Sequence, residues 1–529
     1  MGLLVKPLPD YSGPYPVSTT DLELPVPVDS PIPREAFSTA LLRATNRPAL
    51  GPIDTVHFTL FYPANPHRRG AGVRQPWVQR PLRQTAKGYA RFLGKNEWLV
   101  TALVYLLGSS LRLPVQADLP LADKLGDDAQ LAAEKQSEAQ PERSSAPFVS
   151  AVHEKPDTTN PFPVVIFSHG LSGNRTTYSQ WCGEIASRGY VVAALEHRDG
   201  SGPISVVRLD DEGKEERVVD YIKEADLVYP PSHGSPPPFL TFRAAQLLLR
   251  QSEIRFVLEI LTRLNAGEGP AVAKQNRRKD LAGDGAVGMW LEGWKGRLGI
   301  DRDVSISGHS FGGATTIQLL RAGTFPFARG IALDPWADPI PPASSSSTSP
   351  TSSTPAALDL LPSSDRSSEP AAAADPAATA EVDAQDKLDL PAPLLVINSE
   401  AFTLWKKHYY VVRALVQSVE GAKGWLMTLV GSIHTSFSDL PSILPLSASR
   451  AGARVEPAIA IERIVEACAE FLAGEGTAGE VLGREVREGD EEPTNEGRGE
   501  GAKGPLEGVG EMRMQVRGCD GGRGAFLRV

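Results

Sequence analysis

Gly308-His309-Ser310-Phe311-Gly312-Gly313, and what stands on either side of it, leave few choices for local structure. Before it, Val304 and Ile306 alternate with Ser305 and Ser307, the period of a strand. After it, residues 314–320 predict a helix that Gly323 closes. A strand, a glycine turn holding G-x-S-x-G and a helix make a candidate nucleophile elbow, with the Ser310 hydroxyl exposed at the strand end. Gly308 and Gly312 stand where a Cβ would clash. The N–H of Phe311, in the first helical turn, points at the place where an oxyanion would form. The five-residue pattern alone recurs by chance in chains rich in Gly and Ser, so its surroundings must carry the weight.

Those surroundings predict an α/β chain. Residues 53–62 alternate (Val56, Phe58, Leu60, Tyr62) and predict an early antiparallel strand. Residues 164–167 form a short unbroken apolar run, the mark of a strand buried on both faces. A predicted helix over 178–187 and a strand over 190–195 complete a βαβ unit. Residues 204–235 read as an irregular excursion, and 242–264 as a long helix. Further strands are predicted at 330–334, 393–397 and 425–430, with helices at 405–419 and 459–472. Residues 1–50 read as an extended strap and 51–475 as one catalytic domain. Insertions at about 121–147 and 341–390, and a tail over 476–529, have compositions that predict disorder.

Acyl transfer needs a nucleophile, a base within its reach and a group that orients the base. In folds with this elbow they follow in the chain order serine, acid, histidine, each at a strand's carboxyl end. Ser310, Asp334 and His434 have that order and those places. Asp338 rivals Asp334 but lies past the predicted strand. His309, His169, His197 and His408 rival His434, but they sit in the elbow, at strand ends before the nucleophile, or in a helix. The second oxyanion donor should come from the loop after an early strand. His169-Gly170-Leu171-Ser172-Gly173 fits, with the N–H of Leu171 as donor. Phe311 and Leu171 together make the expected oxyanion hole, and the chemistry requires no metal or organic cofactor.

Composition narrows the partners. In 529 residues the formal net charge is −10, which with the absence of a basic tract argues against nucleic acid. Three well-spaced cysteines, Cys182, Cys468 and Cys519, suit a reducing compartment and neither a disulfide framework nor zinc. With no signal-like apolar start and no run of membrane-spanning length, the expectation is a cytoplasmic protein. Residues 98–108 are apolar nearly all round. Two readings stand: a helix in the core or under a lid, or an interfacial helix touching lipid through Trp98, Leu99, Leu103 and Leu106.

Several segments resemble one family. Residues 167–179, Phe167-Ser168-His169-Gly170-Leu171 and onward to Ser179, are similar to the oxyanion loop of the platelet-activating factor acetylhydrolases of the plasma and type II intracellular kind. Residues 192–199 resemble that family's next strand. Gly308-His309-Ser310-Phe311-Gly312-Gly313, Leu333-Asp334-Pro335-Trp336 and residues 432–439 resemble its nucleophile, acid and histidine segments. The resemblance implies an α/β-hydrolase fold, a mostly parallel central sheet flanked by helices. It also implies a calcium-independent serine esterase that removes acetyl and short or oxidised acyl groups from the sn-2 position of phospholipids. Matching motif by motif, it puts the triad on Ser310, Asp334 and His434 and the oxyanion donors on Leu171 and Phe311. It strengthens the interfacial reading of residues 98–108. The alternatives are an esterase of the same fold acting on other small or polymeric esters, and a catalytically dead lipid-binding homologue.

Overall fold

The computed structural model describes residues 7–35, 40–65, 73–122, 161–211, 214–229, 239–278, 291–301, 304–341, 390–444, 452–474, 479–487, 506 and 508–518. The two expected insertions lie almost wholly outside these residues, as does Cys519. One nine-stranded sheet organises them. Its strands are β1 (Val17–Pro25), β2 (Thr55–Pro63), β3 (Val164–Ser168), β4 (Val191–Glu196), β5 (Val304–His309), β6 (Phe327–Leu333), β7 (Leu394–Ser399), β8 (Gly424–Leu429) and β9 (Met512–Val516). Across the sheet they run β1-β2-β4-β3-β5-β6-β7-β8-β9. From β4 to β8 all neighbours are parallel; β1, β2 and β9 are antiparallel to theirs. This is the expected α/β-hydrolase sheet.

Why the central strands read as unbroken apolar runs is clear from the two core layers. Val164, Ile166, Val191, Ala193, Val396 and Leu426 face one layer. Val165, Phe167, Val192, Ala194, Ile397 and Met427 face the other. Helices α4 (Phe239–Ala266), α5 (Phe311–Ala322) and α6 (Lys406–Gln417) cover the first layer, and α3 (Ser179–Ala186) and α7 (Pro457–Ala473) the second. Each fully buried large apolar side chain stabilises the fold by about 1.5–3 kcal/mol, so both faces must be sealed.

Two expectations are corrected. The interval read as an extended strap contains β1, which pairs with β2 along all nine residues. Both its faces are buried, Leu22 and Leu24 on one, and its pattern is hidden because the other carries Asp21 and Glu23. Asp21 accepts from Arg175 Nε and Nη2 (2.7 and 2.9 Å) and from the Thr59 hydroxyl (2.8 Å). Glu23 accepts from Arg198 Nη2 (2.7 Å), the Thr55 hydroxyl (2.8 Å) and the Arg208 N–H (3.0 Å), and pairs with Arg278. Burial pushes the Glu23 carboxyl up, but Arg198 and Arg278 outweigh it and hold the group at about 2. The second correction concerns the tail. Residues 512–516 form β9, antiparallel to β8, with Met512 and Met514 buried. Its short alternation is masked by the Gly-rich, charged sequence around it.

Helices α1 (Leu82–Leu93) and α2 (Glu97–Gly108) form a hairpin before β3. The Asn96 side chain caps α2 by accepting from the N–H groups of Trp98 and Leu99. The core reading of this helix fails, because Trp98 is 81% exposed, Leu99 68%, Leu106 56% and Leu103 48%. Among the described residues no helix is long and apolar enough to cross a membrane.

Candidate active site

Strand β5 ends at His309, α5 begins at Phe311, and Ser310 between them has φ 57° and ψ −116°. A non-glycine residue there is strained and is held only if its surroundings insist. They do: the Ser310 N–H donates to Leu333 O (2.9 Å), and Ser310 O accepts from the Trp336 N–H (3.0 Å). A Cβ on Gly312 would stand 1.9 Å from Ser168 O, and one on Gly308 2.2 Å from Gly312 O. The glycines are therefore required by the closeness of β3 and of the turn itself.

Three strand ends converge on the serine. Asp334 follows β6 with φ 44°, its N–H bonded to Ile397 O at 2.7 Å. His434 begins a short 3₁₀ turn (His434–Phe437) soon after β8. The Ser310 hydroxyl lies 2.8 Å from His434 Nε2, and His434 Nδ1 lies 2.7 Å from Asp334 Oδ2. Ser399 fixes the acid, its N–H donating to Asp334 Oδ1 (2.6 Å) and its hydroxyl to Oδ2 (2.8 Å). The Phe402 ring stacks on the His434 ring, centroids 4.5 Å apart and planes within 5°. Asp334 is fully buried and the His434 side chain is 35% exposed, so the chain opens to solvent at its histidine end. An oriented imidazole between a buried carboxylate and a hydroxyl can take a proton from that hydroxyl.

The β3–α3 loop runs beside the serine. A Cβ on Gly170 would lie 2.9 Å from Ser310 Cβ. Among the described residues no acceptor takes the N–H of Leu171 or of Phe311. Behind the loop lies a buried cation that the sequence reading missed. Arg250 of α4 donates to His169 O (2.8 Å), Ser168 Oγ (3.1 Å), Ser201 Oγ (2.7 Å) and Asp199 Oδ2 (2.8 Å). Its guanidinium lies 4.4 Å from the Phe311 ring centroid. One side chain thus holds the backbone of the β3–α3 loop and packs on the ring of the residue after the serine. Nothing in the local sequence marks it, since it is one of several charges along a long helix.

The rival residues lie elsewhere. His197 is buried between Ser168 Oγ (2.8 Å) and Glu253 (2.5 Å), and burial pushes its pKa well down. His169 donates to Gly170 O (2.8 Å). His408 accepts the Ala337 N–H (3.2 Å) under the loop that follows Asp334. Asp338 accepts from Trp336 Nε1 (3.0 Å) rather than from His434. His309, Asp334 and His434 have ligand-type atoms within 4.8 Å of one another. Both nitrogens of each ring already have hydrogen-bond partners, so the cluster is a hydrogen-bonded chain and not a set of convergent lone pairs.

The sequence profile of the family described as "Platelet-activating factor acetylhydrolase, isoform II" matches residues 144–352 and 380–493, more than half of the chain. The chain belongs to the platelet-activating factor acetylhydrolase isoform II family. The match spans β3 to α7 and includes Leu171, Ser310, Phe311, Asp334 and His434. Among curated members, the platelet-activating factor acetylhydrolase of Gallus gallus is 28% identical over 53% of this chain and 53% of its own length. That of Cavia porcellus is 37% identical over 35% of this chain and 37% of its own. The chain thus spans about half or less of these relatives. A solved structure titled ferulic acid esterase, from Streptomyces cinnamoneus, covers 88% of this chain and 92% of its own with TM-score 0.45 and 18% identity. That likeness is too distant to add to the sheet order. Family membership makes the chain a homologue of carboxylic ester hydrolases.

Proposed function

We propose that this protein is a calcium-independent serine esterase that hydrolyses the sn-2 acetyl, or a short or oxidised acyl, ester of phospholipids such as platelet-activating factor. The hydrogen-bonded chain Ser310–His434–Asp334, at 2.8 and 2.7 Å, in a member of this family is the observation that carries the reading. His434 Nε2 takes the Ser310 proton as Oγ attacks the ester carbonyl. Asp334, held by Ser399, fixes the Nδ1–H tautomer and stabilises the imidazolium. The N–H groups of Leu171 and Phe311 receive the oxyanion. The ester C–O bond then breaks, His434 protonates the departing lysophospholipid hydroxyl, and water releases the acyl group through the same base.

No step requires a metal or an organic cofactor. The exposed apolar face of α2 supports peripheral contact with lipid through Trp98, Leu99, Leu103 and Leu106. An sn-2 acetyl phospholipid and its long-chain counterpart, assayed side by side with chelator and with Ser310→Ala as control, test the reading. Fast acetyl release that survives chelator and vanishes in the variant is expected. Activity on simple esters alone would leave the triad and overturn the phospholipid assignment. Absence of activity and of fluorophosphonate labelling at Ser310 would overturn the enzyme.

A further inference from the structure

His309 stands immediately before the nucleophile, yet its ring points away from the Ser310 hydroxyl and into a second hydrogen-bonded chain. Its Nδ1 lies 2.8 Å from the Tyr178 hydroxyl, and its Nε2 lies 3.0 Å from His434 O. The Tyr178 hydroxyl in turn accepts the N–H of Gly170 at 3.2 Å. The His309 ring also packs on the His434 ring, centroids 4.5 Å apart, and on Phe437 at 5.6 Å.

The proton positions in this chain follow from its ends. A backbone carbonyl can only accept, so Nε2 of His309 carries a hydrogen and donates it to His434 O. A neutral ring then presents a lone pair at Nδ1, and the Tyr178 O–H must donate to it. That leaves the Tyr178 oxygen free to accept from Gly170. Every donor has an acceptor in one direction only, Gly170 to Tyr178 to His309 to His434. A proton added at Nδ1 would set two donors against each other and place a positive charge beside the ring where the imidazolium forms. Burial, and then the neighbouring His434, push the pKa of His309 well down.

We propose that His309 is a positioning residue whose neutral Nε2–H tautomer ties the oxyanion loop, through Tyr178 and Gly170, to the backbone that carries His434. The inference rests on the esterase reading of the site and adds a part to it: the residue before the serine sets the spacing between oxyanion donors and base without touching substrate. Because both loops are anchored to one ring, loosening either contact loosens both.

His309→Phe keeps a ring and removes both hydrogen bonds. Tyr178→Phe removes the hydroxyl alone. His309→Gln restores one donor and one acceptor. Measured on a soluble short-chain ester, each Phe variant is expected to lower kcat about 10–100-fold with little change in KM, since the loss is felt in the transition state. The double variant should be no slower than His309→Phe, and His309→Gln should recover most of the rate. Nitrogen-15 spectra of the histidine-labelled full chain should show the His309 ring as the neutral Nε2–H tautomer throughout pH 5–9. Multiplicative losses in the double variant, failure of glutamine to rescue, a ring that titrates in this window, or an Nδ1–H tautomer would each overturn the inference. If the wild-type chain has no esterase activity, the functional reading falls while the spectra still decide the tautomer.

Discussion

Ser399 grips both oxygens of Asp334, one through its N–H and one through its hydroxyl. Because the hydroxyl and His434 share Oδ2, removing the hydroxyl leaves the carboxylate bound but freer to turn. Ser399→Ala should fold and lose about tenfold in kcat, roughly 1.4 kcal/mol of transition-state stabilisation. Steady-state kinetics beside a thermal unfolding curve check it; an unchanged kcat would show that the N–H alone holds the acid.

The two aspartates of the loop after β6 should part company. Asp334→Asn abolishes the carboxylate opposite His434 Nδ1, with an expected loss of at least about 10³-fold in kcat. Among the described residues the exposed Asp338 bonds only to the Trp336 indole, so Asp338→Asn should stay within about twofold of wild type. Equal losses would refute the assignment of the acid.

Asp118 offers a pH test of stability. Burial, with the nearby Asp21 charge adding to it, pushes its carboxyl up to about 6, while the Thr20 hydroxyl donates to it at 2.7 Å. The folded state therefore binds this proton more tightly than the unfolded chain, where the carboxyl returns to about 3.9. The charged form costs nothing below the unfolded value; the cost grows as pH rises through the window between the two values and is complete above about 6. Asp118→Asn keeps an acceptor for Thr20, and asparagine tolerates the positive φ of 60°. It should stabilise by up to about 3 kcal/mol at pH 8 and by nothing at pH 3.5. Denaturant midpoints at the two pH values decide it.

On α2 the expected effect is on binding to a surface, not on chemistry. Trp98→Asp or Leu103→Asp should weaken sedimentation with phosphatidylcholine vesicles about 10–100-fold, the equivalent of one large apolar side chain leaving lipid. Hydrolysis of a soluble short-chain ester should be unaltered. Vesicle binding that ignores both substitutions would remove lipid contact from this face.

Strand β9 can be tested by truncation. A chain ending at residue 505 loses the buried Met512 and Met514 and leaves β8 as an open edge. A loss of about 3–6 kcal/mol is expected from the two side chains alone, read from denaturant unfolding or as loss of soluble protein. Wild-type stability in the truncated chain would mean that β9 contributes nothing to the fold.

Much of the sheet was legible because β3, β4, β7 and β8 are buried on both faces and carry apolar runs, while β5 shows as an alternation that leads into the glycine turn. The Ser310, Asp334 and His434 positions were legible for a related reason: each follows a predicted strand. Strand β1 was not, because Asp21 and Glu23 are buried by pairing with Arg175, Arg198 and Arg278, which come from three different regions of the chain. A pattern of charges carries no sign of whether partners wait for it. Strand β9 was lost among glycines and charges. Ser399, Phe402, Tyr178 and Arg250 escaped as parts of the site because their roles depend on neighbours dozens of residues away, and only the fold brings those neighbours near.

Asp334 and His434 are 100 residues apart in sequence, and a long stretch of chain, 342–389, intervenes. Their distance does not depend on that stretch. It is set by β6, β7 and β8, paired residue by residue from Gly330 opposite Leu394 to Ser399 opposite Leu429. Lengthening a closed loop costs only about 0.6 kcal/mol per doubling. The span between Pro341 and Leu390 is therefore a socket in the architecture: a tag, a binding module or a whole further domain threaded there would leave acid and histidine the same hydrogen bond apart.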